Sequence, residues 1–259
     1  MRLIYLLTKK KSQVKKNFFV LTILVSLAAC AFAQSVETTP SNESGQPVNS
    51  TLERKWSVGI DLAGTANIPA TDVAFMTHMS YIPRIGLSYG AHVGYQPFKW
   101  LGFRTGLYSI AKNYLITRTI TINDVEFGSA SMMLNTYLNV PFMADLSIGR
   151  KVRYHLFLGA YAGYWYKAKL IGSAQVVTIV DEGVLYNQDY EFNSTRDNRF
   201  DAGLNYGLGL SIPFSQRVGF NVEMLWYYGL TDIHKVYMRE HSPFYNTTFL
   251  LQLGATFNL

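Results

Sequence analysis

Residues 198–228 read NRFDAGLNYGLGLSIPFSQRVGFNVEMLWYY. In the first half, alternate positions are Ala202, Leu204, Tyr206, Leu208, Leu210 and Ile212, and between them fall Asp201, Gly203, Asn205, Gly207, Gly209 and Ser211. A period of two is the side-chain period of a β-strand. After the turn Pro213-Phe214-Ser215-Gln216-Arg217 the pattern resumes: Val218, Phe220, Val222, Met224, Trp226 and Tyr228 share one face, Gly219, Asn221, Glu223, Leu225 and Tyr227 the other. A water-soluble barrel keeps its large apolar side chains inside. Here the second face is mostly glycine, amide and carboxylate, too small and too polar for a core, while the apolar face is continuous. Such a hairpin fits hydrocarbon outside and a polar lumen within.

The same alternation recurs along the chain. Residues 56–62 set Trp56, Val58, Ile60 and Leu62 against Ser57, Gly59 and Asp61. Residues 84–96 set Ile85, Leu87, Tyr89, Ala91 and Val93 against Gly86, Ser88, Gly90, His92 and Gly94. Further strands are expected at 100–114, 134–148, 152–169 and 246–259, with a bulge or bend near Pro141, which lacks a ladder donor. Long connections at 63–83, 120–131, 170–197 and 230–242 alternate with short turns around Lys99, Gly149 and Ser215. The fold this predicts is all-β: an eight-stranded antiparallel up-and-down transmembrane β-barrel with short periplasmic turns and long extracellular loops. Trp56, Tyr95, Trp100, Phe103, Tyr154 and Phe220 gather near the short-turn end, and Tyr89, Tyr164, Trp226, Tyr228 and Phe249 near the other, as two interfacial girdles would. No outward position carries a charge, which matters because Lys or Arg at mid-bilayer costs roughly 2–4 kcal/mol.

The chain has 259 residues. Residues 1–33 join a basic head (Arg2, Lys9, Lys10, Lys11, Lys15, Lys16) to the apolar run FFVLTILVSLAACAFA, and they read as a signal peptide cut between Ala33 and Gln34. Leu27-Ala28-Ala29-Cys30 offers the rival cut of a lipoprotein, acylated on the chain's one cysteine. Residues 34–54, rich in Ser, Thr, Asn, Pro and Glu, read as a disordered periplasmic tether, leaving 55–259 for the barrel. Without the leader, the 23 basic residues fall to 17, against 17 acidic. No net charge remains to recruit nucleic acid.

At the chain end, Gln252, Gly254, Phe257 and Leu259 have the spacing of the C-terminal assembly signal of outer-membrane barrels, which makes the barrel-assembly machinery an expected partner. Beside them stand Gly94-Tyr95-Gln96-Pro97, Thr105-Gly106-Leu107-Tyr108, Tyr137-Leu138-Asn139-Val140-Pro141-Phe142, Phe200-Asp201-Ala202-Gly203 and Tyr228-Gly229-Leu230-Thr231-Asp232-Ile233. As a set these resemble the small outer-membrane barrels of Bacteroidetes, the PorT-like or outer-membrane β-barrel family, over residues 56–259. That family usually carries Glu where this chain has Asn139. The resemblance implies the bacterial outer membrane, with lipid and lipopolysaccharide as surroundings. For the family's founding member it implies a part in exporting surface proteins; a fold-level match carries the location and not that role.

Candidate chemistry is sparse. Asp61, His92, Arg104, Asp145, His155 and Glu223 point inward in the lower half, and an interior of eight strands is just wide enough for side chains to fill. They are expected to form a polar network that plugs the lumen, with a salt bridge between Arg104 and Asp145 on neighbouring strands. Asp232 and His234 invite comparison with outer-membrane proteases, and His241-Ser242 with lipid A deacylases, but the other residues those enzymes need are missing. Five scattered histidines lack metal-ligand spacing. Gly207-Leu208-Gly209 is half a dinucleotide fingerprint without its helix; the glycines are expected to leave room for tyrosine and arginine in a narrow lumen. Lys112, Arg118, Lys167, Lys169 and Arg239 are placed above the membrane, facing lipopolysaccharide phosphates. The function expected is non-enzymatic, without cofactor or metal: surface loops serving binding or adhesion, envelope integrity or support of a secretion complex. The rivals are a lipid- or peptide-modifying enzyme with its site at the loop rim, and a small pore.

Overall fold

The computed structural model describes residues 56–71, 78–122, 125–149, 152–176, 184–215, 217–235 and 243–259. The leader with its Ala33–Gln34 cut, Cys30, the tether, Arg239 and His241-Ser242 lie outside the described residues. Eleven strands are described: β1 Trp56–Thr71, β2 His78–Pro83, β3 Ile85–Tyr95, β4 Leu101–Ala111, β5 Tyr114–Ile122, β6 Val125–Ile148, β7 Arg153–Val176, β8 Val184–Asp189, β9 Phe200–Pro213, β10 Val218–Gly229 and β11 Phe244–Asn258. All their pairings are antiparallel.

Eight of them close on themselves. The order β1–β3–β4–β6–β7–β9–β10–β11 returns to β1 through the pairing of Ser57 with Asn258 up to Thr71 with Phe244. No edge of the ring is left unpaired, which removes the exposed backbone that hydrocarbon cannot solvate. The residue alternation decides the faces. On β9 and β10, Leu204, Leu208, Leu210, Phe220, Val222 and Met224 are exposed, and Asp201, Gly203, Asn205, Asn221 and Glu223 are buried. Ile85 at 84% and Leu87 at 69% exposure show how bare the belt is. A soluble monomer does not carry a continuous apolar surface of this kind.

The short turns at residues 96–100, 149–152 and 214–217 share one end with the start of β1 and the end of β11, as the pairings Trp56–Tyr95, Ile148–Tyr154 and Val218–Phe257 require. Gly149 takes a positive φ of 120° to make its turn, a conformation that favours glycine. Around that end Trp56 packs on Tyr95 at 4.7 Å and Phe98 stacks on Trp100. Near the other end Trp226 contacts Tyr206 and Phe249.

The long connections hold more order than the sequence suggested. The strands expected at 134–148 and 152–169 are 24 residues each and begin or end far beyond the belt. Their upper halves are flanked by β5 and β8, and β2 adds to β5. The segments 63–83, 120–131 and 170–197, read as loops, contribute β2, the end of β5, upper parts of β6 and β7, and β8 to a five-stranded sheet in the order β2–β5–β6–β7–β8. β1 likewise continues to Thr71. The physical reason is that above the belt neither face meets hydrocarbon. Hairpin hydrogen bonding goes on, while the oily/small alternation that marks a strand disappears from the sequence.

Pro141 also behaves differently from expectation. On the β4 side the register of Thr105 with Phe142 and Tyr108 with Asn139 is unbroken, but the two pairs between them are missing, beside a prolyl nitrogen that cannot donate. Thr105 Oγ1 donates to the Pro141 carbonyl at 2.8 Å. The bulge lies higher, where Thr136 pairs Lys167, Tyr137 pairs Trp165 and Tyr166 is left over.

Candidate functional site

The interior has three levels. The middle level is a charged plug. Arg104 on β4 and Glu223 on β10 sit on diametrically opposite strands of the ring, and the guanidinium crosses to the carboxylate with two hydrogen bonds of 2.6 Å. Gln252 Nε2 adds a third donor to Glu223 at 3.2 Å, and the Arg104 fork lies over the Phe157 ring at 4.2 Å. Beside it, Asp61 Oδ2 meets His92 Nδ1 at 2.6 Å and accepts the Tyr108 hydroxyl at 2.8 Å. A Cβ on Gly90 or Gly106 would strike the Tyr108 ring, and one on Gly254 would strike the Asp61 carboxylate. These glycines make the room that the lumen needs.

The salt bridge expected between Arg104 and Asp145 does not form. Asp145 lies opposite Gly102, one inward step below Arg104, and is held from the other side by His155 Nδ1 at 2.8 Å. An arginine is long enough to span a narrow lumen and take the bidentate partner that desolvated charge requires. Gly207 and Gly209 also have other neighbours than expected: Leu225 by the first, Phe157 and Glu223 by the second.

Above the plug is a second ion pair that the sequence reading missed. Lys112, placed there among surface cations, is wholly buried; its ammonium donates to Asp201 Oδ2 at 2.5 Å and faces the rings of Tyr137 and Tyr161. Thr231 and Tyr161 hydroxyls donate to the other Asp201 oxygen. Parity carried the signal. Position 112 continues the inward set Arg104, Tyr108 and Ile110, and Asp201 already stood among the inward residues of its strand. Arg118 and Lys167 are exposed and Lys169 is half-buried.

Over this pair closes an apolar cap of Tyr114, Met133, Tyr137, Trp165, Ile233 and Phe244, with Tyr81, Tyr190 and Phe192 packed against it. Tyr137 and Trp165 stack at 5.7 Å, and Phe192 meets Trp165 edge-on at 4.9 Å. The loop carrying Tyr190 and Phe192 is fastened by Asp197. This buried carboxylate accepts from Arg196 Nε at 2.7 Å, from the Tyr190 hydroxyl at 3.1 Å and from the Asn193 N–H at 2.8 Å. Burial alone would raise the Asp197 carboxyl, but these hydrogen bonds outweigh it and hold it below the usual carboxylate range. Burial, with the Asp197 charge adding to it, pushes the Tyr190 hydroxyl up to about 12.

Asp232 and His234 do not form a catalytic pair. Asp232 Oδ1 accepts the backbone N–H groups of His234 and Phe244, the work of a turn-capping residue. His234 bridges Asp197 by backbone, with its ring against Phe244.

Below the plug the lumen opens as a blind cup of about 320 Å³ at the short-turn end. Arg104, Glu223, His92 and Phe157 line its inner part, and Gln96, Arg153, Asn221, Thr256 and Asn258 are among the residues around it. At the chain end Gln252 is buried while Phe257 and Leu259 are exposed on the outer face. Among the described residues no group of three or more His, Cys, Asp or Glu side chains could hold a metal ion.

No protein of curated function matches this chain. Among solved structures it is similar to Neisserial surface protein A, at 14% identity and a TM-score of 0.36 over 79% of this chain and 97% of that one. It is also similar to Ail, the attachment invasion locus protein of Yersinia pestis, at 14% identity and 0.35 over 78% and 98%. OprG, an outer membrane protein of Pseudomonas aeruginosa, aligns at 9% identity and 0.39 over 79% and 97%. The family described as outer membrane protein beta-barrel domain matches residues 32–235. This chain belongs to that family and is an integral protein of the outer membrane, its bare apolar belt turned to lipid.

Proposed function

We propose that this chain is a non-enzymatic outer-membrane barrel with a plugged lumen, acting through the structure it raises on the cell surface. Its loops serve binding or adhesion, envelope integrity or the support of a secretion complex. In this reading the leader is cut after Ala33, residues 34–54 tether the chain in the periplasm, the short turns face the periplasm, and the β2–β5–β6–β7–β8 sheet stands outside the cell. The terminal Gln252, Gly254, Phe257 and Leu259 serve the assembly machinery. The likeness to the PorT-like family of Bacteroidetes belongs to this proposal and carries the location, without choosing among the surface roles.

One observation carries the reading. The axis of the ring is closed twice by ion pairs, at Arg104–Glu223 and Lys112–Asp201, and once more by the aromatic cap. With the axis closed, what remains available to partners at that end is the surface of the raised sheet and its loops. Purified protein in planar bilayers is expected to show no steady conductance, and a stable open channel would overturn the closed lumen. Affinity capture from detergent-solubilised envelopes, repeated after replacing the β5–β6 hairpin tip with a short Gly-Ser turn, tests the loops. Partners that depend on the native hairpin support the reading; partners retained unchanged count against it.

A further inference from the structure

Where β7 changes partner, an arginine is fixed in place with one end of its fork unused. β7 pairs with β9 as far as Tyr164 opposite Phe200, and with β8 from Lys169 opposite Asp189. Arg199 fills the seam between them. Its Nε donates to the Trp165 carbonyl at 2.8 Å, and its Nη2 donates to the carbonyl of Tyr166, the residue left over at the bulge, at 3.5 Å. The guanidinium lies 4.6 Å from the Tyr164 ring and 4.2 Å from the Phe192 ring, so two rings and two carbonyls hold it before any ligand arrives. A guanidinium has five N–H donors. Both on Nη1 and the second on Nη2 have no partner among the described residues, and together they form the free end of the fork. Lys167 shares the outer face: it is exposed and stands opposite Thr136, whereas the inward Tyr137 stands opposite Trp165. Neither cation has a carboxylate partner among the described residues. Asp197 is taken by Arg196 and Asp201 by Lys112, Asp232 accepts two backbone N–H groups, and Asp189 faces Lys169 across the strand pair. Glu191 is exposed, and only its backbone carbonyl is engaged, by Arg196.

We infer that Arg199, assisted by Lys167, is the anchor for a phosphate group on the headgroup of a membrane lipid. Height on the barrel wall chooses the ligand. Tyr164, Tyr166 and Phe200 are exposed around Arg199, and one step below them Ala162 and Leu204 carry on the apolar belt. Exposed aromatic rings of this kind mark the level of lipid headgroups, and the anionic group a phosphorylated lipid presents there is phosphate. The end of an arginine fork takes two phosphate oxygens at once. A phosphate monoester carries about 1.5 to 2 negative charges, which gives the second cation, Lys167, its use. The leaflet concerned, the outer one, rests on the orientation proposed above; the preference for a phosphorylated lipid does not.

The test is titration of the full chain in non-ionic detergent with bisphosphorylated lipid A, the same lipid A stripped of both phosphates, and inorganic phosphate. Saturable binding of the phosphorylated lipid is expected, about tenfold or more tighter than binding of the stripped lipid or of inorganic phosphate. Arg199→Gln should weaken it about tenfold, with Arg199→Lys between the two because it keeps charge and loses the fork, and Lys167→Gln should weaken it about threefold. Unchanged heat-modifiable mobility in gels shows that each variant is folded. Equal affinity for the two lipids, native affinity in folded R199Q or K167Q, or inorganic phosphate bound as tightly as the lipid would each overturn the assignment. Cleavage of residues 184–199 by protease from the periplasmic side alone would sink the proposed orientation and leave this result standing.

Discussion

The belt half of the ring and the sheet above it are built from the same long strands, β6 and β7, yet they are inverted in character. In the belt, apolar side chains face outward and the interior holds charge, amide and glycine. Above it, the interior is the apolar cap of Trp165, Phe244 and Tyr114, and charge such as Arg118 and Lys167 stands on the surface. The crossover comes at Lys112–Asp201, a wholly buried lysine beneath the aromatic cap. One chain thus changes solvent along its length, and the surroundings at each height decide which side chains are inside.

That contrast can be broken most severely in the belt. Replacing Glu223 with Leu leaves Arg104 desolvated and without its carboxylate, a loss expected to reach about 3–5 kcal/mol. Urea unfolding in lipid vesicles, followed by heat-modifiable mobility, reads it. The double replacement Arg104→Met with Glu223→Leu should recover most of the loss, since an apolar pair of similar volume needs no compensation. If the single and double variants are equally unstable, the plug is not an ion-pair lock.

A smaller and more local effect is expected above. Trp165→Ala removes a stacked ring from the cap, a change that costs roughly 3–5 kcal/mol in a well-packed core and less where the site can collapse. Because the belt ring pairs independently of the cap, the loss should surface as proteolysis of residues 184–199 in intact cells or vesicles, with the unfolding midpoint of the ring little changed. A fall in that midpoint as large as for Glu223→Leu would show that the two regions are one cooperative unit.

The mildest probe is pH. Asp197, held below the usual carboxylate range, is ionised in the folded loop over an interval where the unfolded chain would be protonated. Its stabilisation is therefore complete above the ordinary carboxylate value and drains away as pH falls through the lowered folded value. Hydrogen exchange in residues 190–199 should accelerate on acidification through that interval and stay flat between pH 6 and 8. Asp197→Asn should remove the acid step, and an acid step that persists in it would move the cause elsewhere.

The legibility of the chain in its sequence follows the same divide. Alternation marked every belt strand, because hydrocarbon outside and a narrow polar lumen inside impose opposite demands on successive residues. It also marked the six inward groups Asp61, His92, Arg104, Asp145, His155 and Glu223 together with Asp201, and it would have marked Lys112 had the parity been followed to the end of the strand expected at 100–114. It could not mark β2, β5 and β8, where neither face meets lipid.

Sequence by itself determined the belt, its inward and outward faces and the identity of the charges that fill it, since these depend only on position along a strand and on the surrounding solvent. Closure into a ring, by contrast, was decided in three dimensions, because it alone sets which strands lie opposite. Hence Arg104 found Glu223 across the full width of the lumen and Asp145 was left to His155. A pairing between residues 119 positions apart has no trace in local pattern; only the circumference and stagger of the closed sheet bring them within reach.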